Sequence, residues 1–224
     1  MSLSRATLAD DSFKQKMIDE APGAMELMDD EAFEASRQAI LDEAKKSGEL
    51  WVFGYGSLIW NPIIEIEDMR PATLTGYGRR FCVWAPIGRG TPECPGLWLG
   101  LDETDEDSAP CDGMALRIAA DKWDLESLIL WRREMISGVY RPAWLDLEIE
   151  GEAKKSCVFL ANPQHARYAS KIDWKAKVSA IAHAEGSLGP CREYLESLAE
   201  NLAEAGMQDA YIDRLVRDVK AERA

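Results

Sequence analysis

WLDLEIE, residues Trp144–Glu150, sets Leu145, Leu147 and Ile149 in strict alternation with Asp146, Glu148 and Glu150. A period of two marks an extended strand with one buried and one wet face, because successive side chains leave opposite sides of the backbone. Outward from it lie further strand-like runs at Leu50–Tyr55, Arg79–Trp84, Gly96–Leu101, Gly113–Ile118 and Ser156–Leu160. Gly, Pro and Asp clusters such as RGTPECPG (Arg89–Gly96) and DETDEDSAPCDG (Asp102–Gly113) punctuate them. Several short strands at close spacing predict a small barrel or a strongly curled sheet.

Helical patterns flank these strands. In DDEAFEASRQAILDEAKKSGE, Phe33, Ile40, Leu41 and Ala44 fall on one face, Asp30 is the expected N-cap, and Lys45 and Lys46 precede a terminating Gly48. A helix is expected over Asp121–Ser137, stopping before Gly138, and the C-terminal third from Trp174 onward is helical, with Leu195, Leu198 and Leu202 on one face. The class is α+β. Residues 1–49 read as a helical extension packed on a domain spanning 50–219, with a short tail at 220–224; a lid or an oligomer arm is the functional alternative for the extension.

The net charge of -14 disfavours nucleic acid and anionic membrane surfaces as partners, since both repel an acidic chain. No run approaches the ~20 apolar residues that span a bilayer, and the N-terminus has no signal-type apolar core. Five scattered cysteines without a C-x-x-C pair, and two distant histidines, His165 and His183, argue against a disulfide framework or a zinc site. The expectation is a cytoplasmic protein with reduced thiols, no metal and no cofactor, whose charge does not forbid an anionic small substrate held by a local cluster of N–H donors.

Two features carry chemistry. In LWVFGYGSLIWNP (Leu50–Pro62) a large apolar run breaks at Gly54-Tyr55-Gly56-Ser57. Glycine tolerates positive φ, so this break can point consecutive backbone N–H groups into one concavity, a nest for a carboxylate or phosphate. A plain turn or bulge is the simpler alternative. The pattern matches neither the dinucleotide fingerprint nor the serine nucleophile elbow. The second feature is Glu134, whose neighbours one helical turn back are Leu130 and Trp131. A carboxylate against such groups is poorly solvated, which raises its pKa and suits a general base. Alternatively it forms a plain ion pair with Arg132, Arg133 or Arg141.

WVFGYGSLIWNP, GYGRRFCVW, RGTPECPGLWLGL, CDGMALRI, LWRREMISGVYRP and GPCREYL occur in the order and spacing of the ChaC-like gamma-glutamylcyclotransferases, which the chain resembles from about Leu50 to Val219. The resemblance implies a small closed mixed β-barrel flanked by helices, and cleavage of glutathione or a close γ-glutamyl peptide to 5-oxoproline and Cys-Gly. It implies that Tyr55, Gly56, Ser57 and Leu58 hold the γ-glutamyl group, that Glu134 is the catalytic acid/base, and that Tyr140 and Tyr194 belong to the pocket. The chain departs from the family at Leu188 and Cys191, where a serine and an asparagine are usual, which leaves the preference among γ-glutamyl substrates open. A non-catalytic glutathione sensor is the alternative reading.

Overall fold

The computed structural model describes residues 4–10, 12–20, 22–23, 26–104, 109–169 and 171–223. The centre of the acidic loop expected between two strands, residues 105–108, lies outside that set.

Five strands close into a barrel in the order β1 (Leu50–Gly54), β5 (Cys111–Ile118), β2 (Asp68–Leu74), β6 (Tyr140–Ile149) and β7 (Glu152–Ala161). All neighbours are antiparallel except β1 and β7, which close the ring in parallel at Val52 and Cys157. The barrel is therefore mixed, as the resemblance implied. Every residue of β1 is buried because both of its faces are covered. Trp51 and Phe53 enter one apolar cluster, while Leu50 and Val52 enter another. At the stretch that opened the argument, Leu147 and Ile149 are buried and Asp146 and Glu148 exposed.

β2 was not legible in the sequence. Asp68, Arg70 and Pro71 break its apolar pattern, and a proline demotes a strand prediction. Here Pro71 pairs with Met114 of β5, while pairing with β6 is confined to Ala72 and Thr73, so the missing N–H costs no bond there. Two of the expected strands, β3 (Tyr77–Ala85) and β4 (Gly96–Glu103), are not staves of the barrel; they form a separate hairpin that lies against β7.

The helices are α1 (Arg5–Ala9), α2 (Ser12–Glu20), α3 (Asp30–Ser47), α4 (Trp123–Glu134), α5 (Trp174–His183), α6 (Cys191–Glu204) and α7 (Ala210–Glu222). The N-cap of α3 is Asp29, not Asp30: Asp29 accepts from the N–H groups of Glu31 and Ala32 at 2.9 and 3.0 Å, and Asp30 pairs with Lys14 instead. α4 is shorter than expected. A 3-10 turn occupies Ala120–Lys122, the helix stops at Glu134, and Gly138 follows with φ 68°. Leu125 of α4 is half exposed.

Residues 5–47 share the barrel's core. Leu8, Phe13, Met17, Ile40, Leu41 and Ala44 join Leu116, Ile129, Leu130 and Trp131 in one buried cluster. Glu126 of α4 is fully buried, and Arg5 grips it with two bonds of 2.6 and 2.7 Å, while the Glu65 N–H donates to the same carboxylate at 2.9 Å. Arg5 itself is partly exposed, so truncating Arg5 is the costly change: it removes the charged partner of a buried carboxylate, which generally costs about 3–5 kcal/mol.

Candidate active site

At the end of β1 the chain turns sharply. The Ile59 N–H donates to the Gly56 carbonyl at 2.9 Å and the Asn61 N–H to the Ser57 carbonyl at 2.8 Å. Among the described residues the N–H groups of Gly56, Ser57 and Leu58 have no hydrogen-bond partner. Orphaned donors gathered on one turn are suited to an anion. The reason for the glycines differs from the one the sequence suggested, because neither Gly54 nor Gly56 has a positive φ. Space is the constraint: a Cβ on Gly56 would lie 3.0 Å from Leu99 Cδ2 and 3.4 Å from the Tyr194 hydroxyl.

Arg79 of β3 fixes the turn from behind. Only 2 % exposed, it donates from Nε to the Tyr55 carbonyl at 2.6 Å, from Nη2 to the Asp112 carbonyl, and from Nη1 to Asp209 at 3.1 Å. The sequence held one clue to it: Arg79 shares a strand face with Phe81, so a period-of-two reading puts a charge on a buried face.

Glu134, the last residue of α4, has a side chain 15 % exposed. Its carboxylate takes a 3.0 Å contact from Arg133 Nε. The same guanidinium donates to Ser57 Oγ at 2.7 Å and to the Asn61 carbonyl at 2.6 Å, so one arginine couples the acid to the turn. Of the other ion-pair candidates, Arg132 donates to the carbonyls of Leu8 and Ala9, and Arg141 approaches Glu103 at 3.7 Å. Burial pushes the Glu134 pKa above its ordinary value, and Arg133 opposes this without cancelling it. A position at a helix C-terminus works in the same direction as burial, since the macrodipole disfavours an anion there.

Tyr55, Gly56, Ser57, Leu58, Glu134, Tyr140 and Tyr194, which lie far apart in sequence, line one chamber of about 60 Å³ together with Leu99 and Phe159. The Tyr140 hydroxyl donates to the Leu99 carbonyl at 2.7 Å. The Tyr194 ring stands edge-on to Phe81 with centroids 5.8 Å apart. Burial raises the pKa of all three tyrosines, so each phenol keeps its proton at neutral pH. Through Ser57, Glu134, Tyr140 and Tyr194 the chamber opens into an outer cavity of about 350 Å³.

Sequence reasoning missed the outer walls. Trp60 and Trp98 form part of them, Arg89 another, and Phe13 and Met17 of α2 reach in from the N-terminal helices. No local pattern encodes a contact between residues so distant in sequence. The two departures from the family separate here. Leu188 lines the outer cavity, whereas Cys191 is fully buried and bonds the Leu97 backbone at 3.3 and 3.4 Å, away from the cavity wall.

A protein nucleophile finds little support. Burial pushes the thiols of Cys82 up to about 12 and of Cys111 and Cys191 up to about 11, and Ser57 Oγ accepts from Arg133, a cation that holds its protons. Among the described residues no helix is long and apolar enough to cross a membrane.

A small mixed barrel with a buried glutamate facing a turn of free N–H groups defines a class, and the comparisons identify it. The model of the ChaC-like protein family matches residues 50–222, and the chain belongs to that family. It is 40% identical over 189 residues to the glutathione-specific gamma-glutamylcyclotransferase of Escherichia coli, covering 83% of this chain and 79% of that one. It is 29% identical over 162 residues to glutathione-specific gamma-glutamylcyclotransferase 1 of Homo sapiens, covering 71% and 72%. The crystal structure of the yeast gamma-glutamylcyclotransferase specific to glutathione superposes with a TM-score of 0.71 at 21% identity, over 77% of this chain and 96% of that one, and shares the fold.

Proposed function

We propose that the chain is a cytoplasmic glutathione-specific gamma-glutamylcyclotransferase that releases 5-oxoproline and Cys-Gly by intramolecular aminolysis. Residues 50–219 form the catalytic domain, 1–49 a helical extension and 220–224 a tail. The observation that carries the reading is one buried carboxylate, Glu134, in a 60 Å³ chamber whose facing turn presents the free N–H groups of residues 56–58. The 40% identity to the Escherichia coli enzyme supports the choice of substrate.

The chemistry follows from the groups present. The substrate's α-carboxylate sits on the N–H groups of Gly56, Ser57 and Leu58, which folds the γ-glutamyl chain back on itself. Ionised Glu134 takes a proton from the α-ammonium, and the freed amine attacks the γ-carbonyl to close a five-membered ring. Protonated Glu134 then gives the proton to the departing cysteinyl nitrogen, and it takes the second proton from the ring nitrogen and passes it to the released amine, which leaves as its ammonium. Holding amine and carbonyl together supplies several kcal/mol of the barrier, and a positioned acid/base typically adds about 10²–10⁴-fold. The Tyr194 hydroxyl, kept protonated by burial, is a donor for the oxygen of the tetrahedral intermediate, whereas the Tyr140 hydroxyl is already held by the Leu99 carbonyl. The acidic surface suits a small substrate held by local donors.

The test is Glu134→Gln with glutathione, following 5-oxoproline and Cys-Gly by mass spectrometry. The variant folds and binds but loses at least about 10²-fold in kcat. Undiminished turnover would remove Glu134 from the mechanism. Saturable binding by the wild type with glutathione recovered intact would replace the enzyme by a sensor.

A further inference from the structure

Arg89 lies in the connection between β3 and β4 and stands in the wall of the outer cavity. Its guanidinium Cζ lies 5.8 Å from the Tyr194 ring centre, and Nη1 donates to the Pro190 carbonyl at 3.1 Å, its one side-chain hydrogen bond among the described residues. No carboxylate of the described residues reaches it at ion-pair distance, in a chain with 40 acidic and 26 basic residues. The Glu193 carboxylate and the Arg89 guanidinium both lie beside Gly189, but they do not come within ion-pair distance of each other. Arg133, the other cation on the cavity wall, is already committed to Glu134, Ser57 and Asn61. A guanidinium has five N–H donors, so Arg89 keeps most of its bonding capacity for an occupant.

The backbone beneath Arg89 is immobilised. Gly88 has φ 75°, and its carbonyl accepts from the Leu188 N–H at 2.7 Å. A Cβ on Gly186 would lie 2.5 Å from the Gly88 carbonyl oxygen, and one on Gly90 would lie 2.3 Å from the Gly96 nitrogen. These backbones touch only because the glycines lack side chains. From the other side Glu20 of α2 accepts from the Gly88 N–H at 3.2 Å and from the Ser187 hydroxyl at 2.6 Å. The cation is thus held in place before any ligand arrives, which lowers the ordering cost of binding.

We infer that Arg89 binds the distal carboxylate of the γ-glutamyl peptide, the glycine carboxylate when the peptide is glutathione, and so sets the preference for substrates charged at that end. The inference rests on the reading under Proposed function. The substrate is then pinned at both ends, with its α-carboxylate on the turn N–H groups and its far carboxylate on the guanidinium. The scissile amide lies between them, beside Glu134. Arg89 is a binding residue and takes no part in proton transfer.

The experiment compares glutathione with the same tripeptide carrying a C-terminal amide, for wild type, Arg89→Met and Arg89→Lys. Wild type loses roughly 10–100-fold in kcat/KM on going from acid to amide, the size of one charge-assisted interaction. Arg89→Met loses the same factor on glutathione, mainly in KM, and no longer distinguishes acid from amide. Arg89→Lys recovers part of the loss, because a point charge replaces a fork. Equal losses by Arg89→Met on both peptides, or a wild type indifferent to the amide, would overturn the inference while leaving the cyclotransferase reading intact. A wild type that releases no 5-oxoproline from glutathione would overturn both.

Discussion

A carboxylate 15 % exposed at the C-terminus of a helix, with one guanidinium for company, is harder to ionise in the folded chain than in water. Its folded pKa lies above 4.5, so the pair of protonation states favours folding below 4.5 and loses that contribution as pH rises through the folded value. At neutral pH ionised Glu134 therefore lowers stability. Glu134→Gln is expected to raise Tm by about 2 °C at pH 7 and to leave it unchanged below about pH 4, as calorimetry at the two pH values would show. In the proposed mechanism activity depends on the same proton. The acid limb of kcat/KM for 5-oxoproline release falls above the ordinary carboxylate range. Arg133→Gln moves that limb to higher pH, since Arg133 is the group that opposes the rise. At this scale the sequence was informative, because Leu130 and Trp131 one turn away already announced a poorly solvated acid. It could not choose among three arginine partners, since that choice depends on where the helix ends.

Among the elements, β3 shows how a strand outside the barrel governs a turn inside the site. Arg79 joins Tyr55, Asp112 and Asp209, that is, the end of β1, the start of β5 and the cap of α7. Arg79→Met leaves two carbonyls and a carboxylate short of a donor. It is expected to cost about 3–5 kcal/mol in urea unfolding, with Arg79→Lys intermediate because it keeps the charge but not the fork. The helices and the apolar strands were legible because amphipathic periodicity is a local property. β2 was not, because burial there is carried by Ala72 and Leu74 alone, between charges and a proline. Tyr140 and Tyr194 were named from matched blocks, not from pattern, for periodicity does not say which elements meet. Arg89, Phe13 and Met17 escaped for that reason.

The whole molecule unfolds as one body if a shared core means what it should. Leu8, Phe13 and Met17 pack with Leu130 and Trp131, and Arg5 neutralises the buried Glu126. Deleting residues 1–29 strips those groups and leaves Glu126 without its cation in the interior, an expected loss of about 10 °C or more in Tm. The full chain should give a single calorimetric transition; two separated transitions would mean that the N-terminal helices and the barrel are independently stable.

The parallel seam between β1 and β7 also fixes when the enzyme can begin to work. β1 is among the first parts of the domain to be synthesised, yet its closing partner surrounds Cys157, and the last chamber residue, Tyr194, is added later still. At typical rates of synthesis, on the order of ten seconds separate Tyr55 from Tyr194. Throughout that interval the growing chain has the turn but no chamber around it. On the proposed mechanism an unfinished copy cannot consume its substrate, and activity arrives all at once, only after Tyr194 has been added and the chamber has closed.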